Sequence, residues 1–263
     1  MTDALPHADG FLLELADDIA TLTIDRPSRR NALTHAMWLA LPPLLARLAT
    51  RPDVRALVVT GTGSTFSAGA DIAELRDIYT DPDAADAFHT VHVAAEEALA
   101  AFPHPTIAAV NGPCIGGGCQ LAVACDLRFA HTDATFAIPP ARLGVVYPAG
   151  PTLRLARLVG PARAKYLLFS ASTITPTQAY GWGLVDEVVD GDVRQRARDF
   201  AATCAANSPQ TLGAAKDTIA AWEAQRDPQL AIAHWERASR TAPDVTEGLS
   251  AFLERRPPRF GRQ

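Results

Sequence analysis

A chain of 263 residues, 48% apolar and 20% charged, fits one globular domain with a terminal appendage, and it can bury a large core without disulfide staples. Its net charge of −5 argues against a globally basic nucleic-acid binder. Cys114, Cys119, Cys125 and Cys204 include no C-x-x-C pair, so neither a zinc ribbon nor a redox motif is expected, only buried thiols in a reducing cytoplasm. The first ten residues lack the basic and apolar regions of a secretory leader, and every apolar run breaks before the roughly 20 residues of a membrane span.

In chain order, residues 11–15 and 19–25 read as strands of a hairpin around Ala16-Asp17-Asp18. Residues 31–50 have helical periodicity, with a kink or restart expected at Pro42-Pro43. Residues 56–60 form a short, wholly apolar run, read as a buried strand, followed by a loop rich in Gly, Ser and Thr from Gly61 to Gly69. Residues 71–77 and 83–102 read as helices, 106–110 as a buried strand, 119–124 as a helix and 127–130 as a strand. This alternation is the pattern of α/β layering. Beyond Pro148 the chain reads as mostly helical, with a last strand at 185–189 and three or four helices over 191–256.

Gly61-x-Gly63 begins like a dinucleotide fingerprint, but position 66 is Phe, so a nicotinamide site is discounted. Two other stretches are more telling: Thr65-Phe66-Ser67-Ala68-Gly69-Ala70-Asp71, and Asn111-Gly112 through Gly116-Gly117-Gly118. Each joins a buried strand to a helix start, where backbone N–H groups have no intrahelical acceptor and glycine allows a ligand to approach closely. Read alone, either is an ordinary tight turn. Two such amides converging on one oxygen form an oxyanion hole, in which each donor is worth about 3–4 kcal/mol.

Taken together with Ile24-Asp25-Arg26-Pro27, Asn31-Ala32-Leu33, residues 105–112, Ala124-Cys125-Asp126, Gly183-Leu184-Val185-Asp186 and the tail at 251–258, these stretches resemble the crotonase superfamily, the enoyl-CoA hydratase/isomerase family, over nearly the whole chain. The resemblance implies an α/β fold: a crotonase-type ββα spiral over residues 1–190 holding the CoA and acyl site, and a helical region at 191–263 for trimerisation and closure over the CoA. It implies an acyl-CoA thioester as ligand, no cofactor or metal beyond the CoA of the substrate, and a homotrimer or dimer of trimers. The N–H groups of Ala70 and Gly117 are the expected oxyanion donors, with Gly116 beside them. Ala68, Asp71 and Ile72 would line the CoA path, and Arg29, in the 28–30 loop, would lie near the adenosine end.

The chain departs from the family where hydratases carry two glutamates. Gln120 follows the Gly116-Gly117-Gly118-Cys119 segment, and Pro140 follows Phe136-Ala137-Ile138-Pro139. Neither residue is a general base near pH 7. Some relatives that decarboxylate malonyl-type CoA esters carry a tyrosine after Leu-Gly-Val, and here Leu143-Gly144-Val145-Val146 is followed by Tyr147. Losing CO₂ needs an enolate site but no base. Tyr147 would orient the carboxylate or reprotonate the enolate, and Gln120 would hydrogen-bond the leaving group. His89, His92 and Glu96 fall on one helix face that borders the acyl pocket in the family, and Arg142 sits where that pocket begins. A solvated polar face is the plainer reading of the first three, and a surface salt bridge is the plainer one for Arg142. Lys216, Arg255, Arg256 and Arg259 are weak candidates for the CoA phosphates. Trp182, Trp222 and Trp235 read as core or interface anchors.

Three readings follow. The leading one is an acyl-CoA lyase that stabilises a thioester enolate, such as an alkylmalonyl-CoA decarboxylase. The second is a hydratase or isomerase of fatty acid metabolism that lacks the usual glutamates. The third is a catalytically silent CoA-binding oligomer. Neither nucleic acid nor membrane is expected as a partner.

Overall fold

The computed structural model describes residues 5–261. The leader-free reading of the N-terminus reaches into residues 1–4, outside the described residues. A six-stranded sheet organises the chain in the order β1 (Phe11–Ala16), β2 (Ile19–Ile24), β3 (Ala56–Gly61), β4 (Thr106–Val110), β6 (Leu127–His131) and β8 (Glu187–Val189). β1 and β2 form the antiparallel hairpin, with Phe11 opposite Ile24, and every later pairing is parallel. Asp17 and Asp18 make the turn with positive φ, a conformation Asp tolerates better than most residues.

Strand alternation builds two apolar layers. Leu57 and Val59 of β3 and Ala108 and Val110 of β4 face one side, against α1 (His35–Ala49), α3 (Pro82–Ala100) and α4 (Gly117–Ala124). Ala56, Val58, Ile107 and Ala109 face the other side, where α9 (Val193–Ala205) covers them with Val193, Ala197 and Ala201. Both faces of the parallel strands are thus buried, which is why their sequences are continuously apolar.

Three local readings are corrected. α1 begins at His35, capped by Thr34, and runs without a break through Pro42 and Pro43. Each proline removes an intrahelical hydrogen bond, but burial of Trp38, Leu41, Leu44, Leu45 and Leu48 along one stripe holds the helix together. The glycine-rich segment contains a strand, β5 (Pro113–Ile115), paired in parallel with β7 (Thr135–Ala137) as a second small sheet. Three-residue strands are too short to show a period in sequence. α4 starts at Gly117, two residues earlier than expected, so Gly117 itself carries a first-turn amide.

After α5 (Pro140–Leu143) come α6 (Ala149–Val159), α7 (Pro161–Ser170) and α8 (Pro176–Trp182). Following β8 and α9, the chain ends in α10 (Pro209–Glu223), α11 (Pro228–Ser239) and α12 (Pro243–Glu254). Arg128, 2% exposed on β6, donates to the carbonyls of Leu184, Ala122, Cys125 and Asp126 and to Asp186, tying the segment before β8 to the core. Among the described residues no helix is long and apolar enough to cross a membrane.

Candidate active site

Ser67 brings the two glycine-flanked corners together. Its amide donates to the Pro113 carbonyl at 3.0 Å, and its own carbonyl accepts from Ile115 N at 2.9 Å, so the loop after β3 runs beside β5. Its hydroxyl donates to the Asn31 carbonyl and accepts from Gly69 N. Asn31 Nδ2 holds the Thr62 and Thr65 carbonyls, and Asn111 Nδ2 holds those of Gly61 and Gly63. Two carboxamides, Asn31 buried and Asn111 half-buried, thus fix a loop that has no regular backbone pairing of its own.

Glycine is required at two points. Gly69 has φ +92°, and a Cβ there would stand 2.7 Å from the Ile115 carbonyl oxygen. Gly116 has φ +50°, a turn that redirects the chain from β5 into α4. As a result Ala70 and Gly117 lie side by side. A Cβ on Gly117 would stand 3.3 Å from Ala70 N and 3.1 Å from Trp38 Cζ2. The chain bridge at Leu33 uses the Gly69 carbonyl and the Asp71 amide and skips Ala70 N. Among the described residues neither the Ala70 nor the Gly117 amide has a protein acceptor.

Both corners open on a cleft of about 90 Å³. Of the residues singled out in the sequence, Ala68, Ala70, Ile72, His92, Gly116, Gly117, Gln120, Pro140 and Tyr147 line it. Leu75, Tyr79, Phe88 and Leu143 complete much of its wall. Among the described residues no Asp, Glu, Lys or Arg belongs to the lining. The polar side chains facing it are Tyr79, His89, His92, Gln120 and Tyr147.

The Tyr147 hydroxyl donates to the Gly116 carbonyl at 3.3 Å, one residue from the Gly117 amide. Burial pushes this phenol well above the usual tyrosine range, and neighbouring Cys119, Glu96 and Cys114 add to the effect, so it keeps its proton. Burial, reinforced by His35 and His89, pushes His92 down to about 3, so its imidazole is neutral. His92 and Glu96 are buried, which corrects the reading of this helix face as solvated; only His89 is exposed.

Other sequence candidates lie elsewhere. Arg29 is exposed in the short 3-10 helix Pro27–Arg29. Asp71 caps α2 (Ile72–Ile78) through Ala73 N and pairs with Arg26 at 3.2 Å. Arg142 is exposed on α5, outside the cleft lining. Lys216 is held by Asp126 at 2.7 Å and by the His104 carbonyl. Arg256 is paired with Glu247 and Glu254, and the Arg259 amide is bonded to Glu247. Sequence reasoning missed Trp38, buried against Gly117 behind the cleft lining, because an indole in an amphipathic helix carries no mark of what it packs against.

Comparison with known proteins bears on the fold and the family. The model of the family described as enoyl-CoA hydratase/isomerase matches residues 14–263. A probable enoyl-CoA hydratase of Mycobacterium bovis is 35% identical over 256 residues, covering 95% of this chain and 97% of that protein. The 2,3-dehydroadipyl-CoA hydratase of Escherichia coli is 36% identical over 247 residues, covering 92% and 94%. A crystal structure of a family protein from Hyphomonas neptunium superposes with a TM-score of 0.91 at 37% identity, covering 95% of this chain and 97% of that one. With its sheet order, its paired glycine corners and its C-terminal helices, this chain belongs to the enoyl-CoA hydratase/isomerase family.

Proposed function

We propose that the cleft binds an acyl-CoA thioester with its carbonyl oxygen between the Ala70 and Gly117 amides, an oxyanion hole that stabilises the enolate, and that the reaction is loss of CO₂ from an alkylmalonyl-CoA. The bond from Cα to the carboxylate breaks. Its electron pair forms the Cα=C1 bond, the carbonyl pair moves onto oxygen, and CO₂ leaves. Cα then takes a proton from the Tyr147 hydroxyl, and water restores the phenol. The Gln120 carboxamide, buried in the cleft wall, donates to the departing carboxylate.

The observation carrying this reading is a cleft with two amides that lack a protein acceptor and, among the described residues, no charged side chain in its lining. A carboxylate entering it is desolvated, while the charge that develops on the thioester oxygen meets two donors, each worth about 3–4 kcal/mol. A hydration mechanism needs a base, and neither Tyr147, which keeps its proton, nor His92, held near 3, acts as one at neutral pH.

Incubation with methylmalonyl- and ethylmalonyl-CoA, followed by mass spectrometry, tests the proposal. CO₂ release that falls at least tenfold in Tyr147→Phe supports it, and no turnover of either ester overturns it. The relatives named hydratases favour a second reading, hydration or isomerisation without the two glutamates. Crotonyl-CoA hydration that survives Tyr147→Phe would establish that instead. Acyl-CoA binding with no turnover across a broad panel would point to a silent CoA-binding protein.

Self-association belongs to the same proposal. Trp222, Leu230, Phe252 and Leu253 are between 68% and 82% exposed on the C-terminal helices, an apolar display that a trimer or dimer of trimers would cover. Sedimentation equilibrium at the mass of one chain would refute this.

A further inference from the structure

Glu96 is a buried carboxyl that the proposed reaction does not use. It is 1% exposed on α3, one helical turn beyond His92, which lines the cleft. Arg154 of α6 reaches it, and the other terminal nitrogen of Arg154 holds Glu97 at 3.0 Å. A Cβ on Gly150 would stand 3.3 Å from Arg154 Nη1, 3.3 Å from Glu97 Oε1 and 3.4 Å from Glu96 Oε1. Both carboxyls therefore press on the first turn of α6, where glycine leaves them room. Among the described residues that turn holds no acidic residue, and its N-cap, Pro148, makes no side-chain cap. α3 thus supplies from outside the negative charge that a helix start favours.

Tyr147 directly precedes Pro148, so the seat of this turn decides where the phenol stands. The phenol lines the cleft and donates to the Gly116 carbonyl. Glu96 also acts on it through space: burial does most to hold the phenol proton, and Cys119, Glu96 and Cys114 follow in that order. Burial raises the Glu96 carboxyl itself to about 7, with Arg154 opposing and Glu97 adding to the rise. The other titratable groups of the packed elements are His89, His92 and Glu97 on α3, Cys119 on α4 and Cys114 on β5. His35 of α1 lies behind them, stacked on Phe88, and Glu74 of α2 accepts from its amide. His92 stays neutral through burial, so the cation at this seam is Arg154.

We propose that Glu96 is a positioning residue for Tyr147: with Arg154 it seats the turn that carries the phenol, and its charge decides how readily the phenol parts with its proton. A neutral Glu96 leaves the phenol a better donor. An ionised Glu96 opposes a second anion beside it. Proton delivery from Tyr147 therefore weakens as pH rises through 7. The consequence for turnover rests on the reading of Tyr147 as proton donor, whereas the field of Glu96 at the phenol does not.

NMR of the full chain with carbon-13 at the tyrosine Cζ positions tests it between pH 5 and 9. Tyr147→Phe identifies the Tyr147 signal among the four tyrosines, and the exposed Tyr166 and Tyr180 serve as references. The wild-type Tyr147 signal is expected to shift with a midpoint near pH 7 while the phenol keeps its proton. Glu96→Gln should abolish that inflection, and Glu97→Gln should keep it. If thermal unfolding shows Glu96→Gln misfolded, Glu96→Asp decides: its midpoint must move, and an unmoved one overturns the proposal. No inflection in the wild type, or one that survives Glu96→Gln with His89 or His35 as its source, also overturns it. With methylmalonyl-CoA, kcat should fall at least threefold from pH 6 to pH 8 in the wild type and less than twofold in Glu96→Gln, with KM within twofold; parallel profiles overturn the proposal. An ester that is not turned over, beside an inflection lost in Glu96→Gln, overturns the reaction reading and leaves the pairing of Glu96 with Tyr147 standing.

Discussion

Arg154 reaches from α6 to the buried carboxylate of Glu96 on α3, and its other terminal nitrogen holds Glu97 at 3.0 Å. Burial raises Glu96 to about 7, against the opposing pull of Arg154. A carboxyl raised in the folded state holds its proton more tightly there than in the unfolded chain. Its stabilising contribution is complete below the usual glutamate range and is lost as pH climbs towards 7. Glu96→Gln removes this titration. Between pH 5 and 7.5 the variant should therefore gain on the wild type in urea unfolding, by on the order of 1–3 kcal/mol. Parallel curves for the two proteins would show that Glu96 is charged throughout.

The contact between Gly117 and Ala70 makes a second prediction. Alanine is a better helix former than glycine, so Gly117→Ala should fold. Its methyl, however, would enter the gap between the two amides, 3.3 Å from Ala70 N and 3.1 Å from Trp38 Cζ2. Turnover of whichever ester proves active should fall about 100-fold or more, with little change in melting temperature. Turnover within threefold of wild type would mean that the two amides do not serve the reacting oxygen.

The two glycine corners were legible because glycine at Gly69 and Gly116 answers a backbone demand that shows directly in the sequence. The buried strands were equally legible, since burial on both faces leaves an unbroken apolar run. Tertiary partners were not. Pro42 and Pro43 suggest a break, yet the buried stripe of α1 outweighs two missing hydrogen bonds. Lys216 and Arg256 look like free phosphate ligands until their carboxylate partners are placed beside them. Trp38 and Gly117, far apart in sequence, meet only after α1 has packed on α4's first turn.

Arg128 is predicted to be a structural linchpin. It is 2% exposed and spends its guanidinium on four carbonyls and on Asp186. Arg128→Met would fill similar space but strip those acceptors of their donors. Unfolding should cost about 3–5 kcal/mol less than in the wild type. Because Arg128 is outside the cleft lining, the affinity of the folded fraction for acyl-CoA should stay within twofold. A loss below 1 kcal/mol would show that water replaces the guanidinium at those carbonyls.

Lys216 gives the sharpest contrast between sequence and structure. A lone lysine on the Ala-rich α10 is a natural candidate for gripping a CoA phosphate. Its ammonium is instead held by Asp126 Oδ2 at 2.7 Å and by the His104 carbonyl at 3.1 Å. The same Asp126 oxygen accepts from the amide and hydroxyl of Thr106 at the start of β4. Lys216 therefore closes a bridge between α10 and the sheet, and a phosphate could recruit it only by breaking that bridge. Lys216→Ala should lower stability by about 1 kcal/mol, the scale of a partly exposed ion pair, and leave KM for acyl-CoA esters within twofold. A tenfold rise in KM with unchanged stability would move Lys216 from the scaffold to the ligand.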